Sequence, residues 1–138
     1  MTRILGIDPG TKRCGIAISN ASESIAFPRP ALAMNDQFVS TLRVLIEEEE
    51  VGEVVIGRPV ALSGNETSST AAADLLYKLL KDSFPSLPVV QVDERLSTVE
   101  ASRALSAAGL DQRQQKSHID SAAAVLLLQS LLESRNAD

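Results

Sequence analysis

Short apolar segments alternate with amphipathic ones along the chain, and their spacing predicts a mixed α/β fold. Three strand-like segments come first, at Arg3–Asp8, Cys14–Ser19 and Ser24–Leu32, and the first of them stops at the turn signal Pro9-Gly10. The short connections between these segments favour an antiparallel meander. Two prolines in the third segment confine it to a sheet edge or end it early.

Helical periodicity follows the meander and then alternates with two further apolar strands. The first predicted helix has Asn35 or Asp36 as its N-cap and Gly52 as its end. The elements that follow are a strand at Glu53–Gly57, a helix that carries Leu75, Leu76, Leu79 and Leu80, a buried strand at Val89–Val92, a helix that begins with the capping box Ser97–Glu100, and a helix that begins near Ser117.

The order β-β-β-α-β-α-β-α-α predicts one five-stranded mixed sheet with the first strand central and helices flanking it. Its early strands are antiparallel and its later strands parallel. We expect a single domain over residues 1–138, with disorder in the last few residues. With 44% hydrophobic residues but no Trp, one Tyr and three Phe, the core must be aliphatic.

Cysteine and histidine content excludes two common kinds of site. Cys14 is the single cysteine and His118 the single histidine, so neither an internal disulfide nor a structural zinc site can form. Cys14 lies in an apolar run and is expected to be buried. The chain opens without a signal-like segment, and the apolar run Ala122–Leu128 is too short to span a membrane, so we expect a cytoplasmic protein without a membrane partner.

Three acidic positions are expected at one edge of the sheet. Ligands of open α/β sheets gather beyond the carboxyl ends of the parallel strands. Asp8 ends the first strand, Asp93 and Glu94 end the last, and Asp120 opens the final helix. Asp93 and Glu94 must face opposite sides of their strand, so only one should enter the site, and alternation does not choose between them.

Clustered carboxylates predict a divalent metal, because without a cation they would repel one another. Mg²⁺ or Mn²⁺ suits oxygen ligands, and two such ions can assist hydrolysis of a phosphodiester. The net charge of −5 argues against a protein that coats nucleic acid, because such proteins are usually basic. It allows an enzyme with positive charge at one cleft. Five basic residues are candidates to contact backbone phosphate: Lys12, Arg13, Arg58, Arg95 and Lys116.

Each acidic position also has a purely structural interpretation. Asp8, before Pro-Gly, could shape a turn. Asp120, in a first helical turn, would favour the helix dipole. Asp93, Glu94 and Arg95 could form an ordinary surface ion pair. Only their convergence at one sheet edge points to a metal and phosphate site.

Four segments, taken together and in order, are similar to a known family. Gly6–Gly15, Gly57–Pro59, Asp93–Thr98 and Lys116–Ala123 resemble the YqgF-type pre-16S rRNA nucleases, also called Holliday junction resolvase-like proteins. The resemblance implies a ribonuclease H-like fold, a divalent metal and a role in trimming the 5′ end of the ribosomal RNA precursor. It also implies that the catalytic and metal-binding acids are Asp8, Glu94 and Asp120.

The chain departs from the family pattern at two positions, and rival functions are open. Pro9 stands where an aromatic residue is common, and Arg58 where Leu is common; both bear on substrate preference. The family's relation to junction resolvases suggests branched DNA as an alternative substrate. Gly6–Thr11 also resembles the first phosphate loop of the sugar kinases, which close two such domains around ATP. A non-catalytic RNA-binding or ribosome-assembly module is a third alternative, and we expect a monomer or weak homodimer.

Overall fold

A computed structural model of the protein describes residues 2–59, 63–94 and 121–136. Within these ranges five strands form one mixed sheet in the order β3-β2-β1-β4-β5. The strands are β1 (Arg3–Asp8), β2 (Arg13–Ser19), β3 (Ala26–Ala33), β4 (Val51–Arg58) and β5 (Val89–Asp93), and the helices are α1 (Phe38–Glu48), α2 (Ser68–Ser83) and α3 (Ala122–Arg135). Strands β1, β2 and β3 pair antiparallel, whereas β4 pairs parallel with β1 and β5.

The predicted sheet and its central first strand are therefore confirmed. The helix expected from Ser97 and the expected start of the last helix near Ser117 lie outside the described residues, as do residues 137 and 138. No helix in the described part of the chain is both long enough and apolar enough to cross a membrane. Cys14 is completely buried, as predicted.

Two apolar layers cover the sheet, and the alternation along β1 shows which residues face each one. Leu5 and Ile7 belong to the core formed with α1 and α2. Ile4 belongs to the core formed with α3. A Cβ atom at Gly6 would lie 3.1 Å from Leu128 Cβ, so this glycine allows α3 to pack closely on β1. The space at Gly6, beneath Asp8, is therefore filled by α3.

Both ends of α1 differ from the prediction. The N-cap is Gln37, without a side-chain cap, and the Asn35 side chain instead accepts the Gln37 N–H at 2.9 Å in the preceding turn. The helix ends at Glu48, and Glu50 adopts a left-handed conformation with a φ of 53°. Gly52 lies inside β4. The sequence signal failed here because a non-glycine residue takes the conformation in which glycine is usually found.

Two elements are less buried than the apolar pattern predicts. Leu76 and Leu80 of α2 are buried, but Leu75 and Leu79 are 72% and 41% exposed. Strand β5 is a sheet edge, and Val90 is 37% exposed, so the expectation of a buried strand at Val89–Val92 is confirmed only for Val89. A run of leucines or valines does not by itself indicate which face of an element is covered.

Candidate active site

Asp8 and Glu94 lie on the same face of the sheet, at the carboxyl ends of β1 and β5. Asp8 continues the face of Ile4, which packs against α3. Glu94 continues the face of Val92, which packs against the same core. The Gln91 side chain, on the opposite face of β5, donates to Asp74 of α2 at 2.9 Å. By alternation Asp93 shares the face of Gln91, so Glu94 is the acid that lies on Asp8's side.

The carboxyl groups of Asp8 and Glu94 interact, and their interaction favours a proton on Glu94. Burial is the largest cause that raises the pKa of Glu94, to about 9, and the hydrogen bond with Asp8 and the negative charges of Asp8 and Asp93 add to it. Two carboxyl groups held this closely are poorly suited to be ionised together. A divalent cation would remove that difficulty, and hard carboxylate oxygens are the ligands that Mg²⁺ and Mn²⁺ prefer.

Asp120, the third predicted acid, lies outside the described residues, but its neighbour Ser121 is fixed in place. Ser121 is 1% exposed. Its hydroxyl accepts the backbone N–H of Ile16 at 3.1 Å and donates to the carbonyl of Arg29 at 2.5 Å. Ile16 pairs with Ile7, the residue before Asp8. The start of α3 is therefore anchored to the sheet next to the end of β1. Among the described residues, no group of three or more His, Cys, Asp or Glu side chains could hold a metal.

Lys12 lies exposed in the turn between β1 and β2, and Arg13 is the exposed first residue of β2. Together with Thr11 and Ala33 they line a surface cavity of about 570 Å³. The turn is tight, since a Cβ atom at Gly10 would collide with the carbonyl oxygen of Arg13. This turn directly follows Asp8, so it places cationic side chains close to the acidic pair.

Arg58 is engaged by two carboxylates. Its guanidinium lies 3.0 Å from the Asp74 Oδ1 and 2.6 Å from the Glu66 Oε1. The bond to Arg58, followed by that to Gln91, holds the pKa of Asp74 below its usual value. Any phosphate contact by Arg58 would have to compete with these acids. The other two predicted basic residues, Arg95 and Lys116, lie outside the described residues.

Comparison with known proteins identifies the family to which this site belongs. The family model described as "RuvX: Holliday junction resolvase" matches residues 2–134. The chain belongs to this family. A relative from Corynebacterium jeikeium, named "Putative pre-16S rRNA nuclease", is 40% identical over 135 residues, which is 96% of this chain and 87% of the relative. A protein with the same name from Staphylococcus haemolyticus is 39% identical over 137 residues, which is 96% of each chain.

Solved structures of low sequence identity share the fold of this RuvX family member. The RuvC protein of Thermus thermophilus in complex with a Holliday junction substrate has a TM-score of 0.58 at 15% identity, covering 99% of this chain and 96% of that one. The Holliday junction resolvase of fowlpox virus has a TM-score of 0.55 at 12% identity, covering 97% and 99%. The ribonuclease H-like fold and the family resemblance predicted from the sequence are both confirmed.

Sequence reasoning did not assign a role to four residues around this RuvX-type site. Ser121 anchors α3, Asp74 binds Arg58, Gln91 donates to Asp74, and Gly57 lies directly beneath Glu94. Gly57 and Ser121 fall inside the segments that carry the family resemblance, which was a signal of their importance. Nothing in the local pattern signalled Asp74 or Gln91, because their partners lie on other elements.

Proposed function

We propose that this chain is a metal-dependent nuclease that hydrolyses phosphodiester bonds of structured nucleic acid and processes the 5′ end of pre-16S rRNA. One observation carries the proposal: Asp8 and Glu94 lie on one face of the sheet at the carboxyl ends of β1 and β5, and the Glu94 side chain reaches over β4 toward Asp8. The names of relatives about 40% identical over most of the chain support the choice of substrate. A pre-rRNA substrate implies a cytoplasmic location.

Asp8, Glu94 and Asp120 would hold the divalent ion, Mg²⁺ or Mn²⁺. When bound, such an ion activates water and stabilises the leaving oxygen of a phosphodiester. Glu94 must release its proton to become a ligand, so its ionisation and metal binding are linked. Asp8 ends the central strand, where ligands from both sides of the sheet can converge, so we assign it the bridging position between the other two acids.

Basic residues near the acids would bind the backbone of the substrate. Lys12 and Arg13 follow Asp8 in the first turn, and their exposed side chains suit phosphate contacts that are independent of sequence. The remaining proposed contacts are Arg58, Arg95 and Lys116. The scarcity of aromatic residues, with three Phe, one Tyr and no Trp, argues against recognition of single-stranded bases by stacking.

Branched DNA is the second candidate substrate, because the family model that matches the chain is described as a Holliday junction resolvase. The deciding experiment compares cleavage of a 5′-extended 16S rRNA precursor fragment, a four-way DNA junction and a linear duplex. Each is incubated with Mn²⁺, with Mg²⁺ or with a chelator. We expect cleavage of the RNA at its 5′ extension with either metal and none with the chelator. Cleavage that persists with the chelator would refute metal dependence, and preferential cleavage of the junction would favour the DNA substrate.

A further inference from the structure

Gly57 lies between the two acids on the sheet surface. It is the next-to-last residue of β4, and it pairs in register with Val92 of β5. On the other side of β4, Ile56 pairs with Ile7, so Gly57 is level with Asp8. A Cβ atom at position 57 would lie 2.8 Å from both Cγ and Cδ of Glu94, and closer still to Oε1. The Glu94 side chain therefore occupies the volume that any side chain at position 57 would need.

The backbone does not require glycine at this position. Among the glycines of the described residues, the positive φ belongs to Gly64, and Gly57 has an ordinary strand conformation that alanine adopts without strain. In the described part of the chain, the three heavy atoms nearest to a Cβ placed at Gly57 all belong to Glu94. The space directly above Gly57 is thus taken by the side chain of one of the proposed metal ligands.

The order of the strands explains why this space matters. β1 and β5 are not neighbours, because β4 lies between them. Strands two positions apart in a sheet are separated by roughly 10 Å, so a side chain that ends β5 must cross β4 to reach one that ends β1. Glu94 makes this crossing, since its Cγ, Cδ and Oε1 atoms all lie over position 57 of β4. Its path runs directly over position 57.

We propose that Gly57 is a positioning residue whose missing side chain lets Glu94 cross β4 and join Asp8 in one metal-binding site. This inference rests on the proposed function. A methyl group at position 57 would push the Glu94 carboxyl away from Asp8. The cost to the fold is expected to be small, because the displaced atoms, from Cγ outward, belong to one flexible, half-buried side chain.

Gly57→Ala provides the test, with Gly52→Ala as its matched control. Gly52 lies in the same strand, and a Cβ atom there would be 2.6 Å from the Thr2 side chain, remote from the acids. We expect Gly57→Ala to weaken Mn²⁺ binding at least tenfold by isothermal titration calorimetry and to lower cleavage at least a hundredfold. Gly52→Ala should leave both unchanged, and both variants should melt within a few degrees of the natural protein.

A double-mutant cycle with Glu94→Gln separates positioning from a general structural effect. If Gly57 acts through Glu94, then Gly57→Ala should cause no further loss of Mn²⁺ affinity once the Glu94 carboxylate is absent. An equal loss in both backgrounds would overturn the proposal. Should Gly57→Ala melt far below the natural protein, adding Glu94→Ala must restore stability to that of Glu94→Ala alone, because the clash partner is gone. A double variant that stays unstable would also overturn it.

Two outcomes distinguish this inference from the proposed function. If Asp8→Asn and Glu94→Gln weaken Mn²⁺ binding but Gly57→Ala does not, the role of Gly57 is refuted and the nuclease proposal stands. If Asp8→Asn and Glu94→Gln leave Mn²⁺ affinity unchanged, the acids are not metal ligands, and both proposals fail together.

Discussion

The hydroxyl of Ser121 accepts a hydrogen bond from the backbone N–H of Ile16 at 3.1 Å, although the two residues are 105 positions apart in the chain. The same hydroxyl donates to the carbonyl of Arg29 on β3. Both partners lie where the register between β2 and β3 shifts, between Cys14 and Ile16. Ser121 thus bridges an irregular point in the ladder, where the two strands do not satisfy each other's backbone groups, and it fixes the start of α3 there.

Ser121→Ala should destabilise the protein by about 1–3 kcal/mol, because it leaves a buried N–H and a carbonyl without a partner. Urea denaturation of the natural and variant proteins measures this loss. Ser22→Ala is the control, since Ser22 is exposed and its hydroxyl shares a hydrogen bond with another exposed serine, Ser24. A change below about 0.5 kcal/mol for Ser121→Ala would mean that water or a local shift replaces the serine hydroxyl.

Asp8→Asn tests the proposed catalytic role of the acid that ends the central strand. The substitution is nearly isosteric and removes one of two carboxyl groups held close together, so the melting temperature should be kept or raised when metal is absent. Metal-dependent cleavage should fall by orders of magnitude, because a ligand charge that offsets the cation is lost. Cleavage rate against Mn²⁺ concentration and thermal melting are measured for each variant, with Asp36→Asn in an exposed loop as control. Full activity in a folded Asp8→Asn protein would favour the non-catalytic RNA-binding alternative.

The raised pKa of Glu94 predicts how stability depends on pH in the metal-free protein. An unfolded Glu titrates near pH 4.3, whereas the folded-state pKa is about 9. Between these values the folded state holds a proton that the unfolded state has released, so the free energy of unfolding falls as pH rises. The part of the free energy of unfolding that comes from this proton is fully present below about pH 4.3 and is lost as pH passes through 9.

Glu94→Gln should remove this part of the pH dependence, because the amide does not titrate beside Asp8 and Asp93. Thermal melting from pH 5 to 9 measures the effect, with Glu48→Gln, an exposed residue at the end of α1, as control. Mn²⁺ affinity of the natural protein should rise over the same range, since binding requires the proton to leave. Equal pH profiles for the natural protein and Glu94→Gln would show that Glu94 is ionised without metal.

Lys12→Ala should weaken substrate binding without changing the affinity for metal. Lys12 is exposed in the turn after Asp8, and its proposed partner is a backbone phosphate. Loss of one phosphate contact makes the slope of log affinity against log salt concentration shallower by about 0.7–0.9. Fluorescence anisotropy of a labelled RNA at several salt concentrations checks this slope. Lys78→Ala, an exposed lysine of α2, is the matched control. Identical slopes for the two variants would place Lys12 outside the interface.

The position of Asp8 at the end of β1 could be predicted from the sequence, because a strand-ending acid before Pro-Gly is visible in the local pattern. The sequence could not choose between Asp93 and Glu94, because alternation separates two faces without saying which face Asp8 occupies. The position of Gln91 resolves the choice. Its hydrogen bond to Asp74 shows that Gln91 lies on the face of β5 that is turned toward α2. The role proposed for Gly57 was equally hidden, since it depends on a side chain that arrives from the end of a neighbouring strand.

Arg58 provides the last prediction, because its proposed phosphate contact must compete with an internal one. Asp74 and Glu66 both bind its guanidinium. Asp74→Asn removes one of these charges and leaves Arg58 more available to the substrate. RNA affinity at low salt should therefore rise several-fold, and its salt dependence should become steeper. The stability cost should be about 1 kcal/mol or less, as for other partly exposed ion pairs.

Two further variants show whether that gain comes from Arg58 itself. Asp82→Asn makes the same charge change on an exposed residue of the same helix, so it controls for net charge alone. In the double variant Asp74→Asn with Arg58→Ala, the gain in affinity should disappear, because the released guanidinium is absent. Anisotropy titrations of all four proteins measure these differences. If Asp82→Asn strengthens binding as much as Asp74→Asn does, the effect is one of overall charge, and Arg58 is a structural link between β4 and α2 rather than a contact to phosphate.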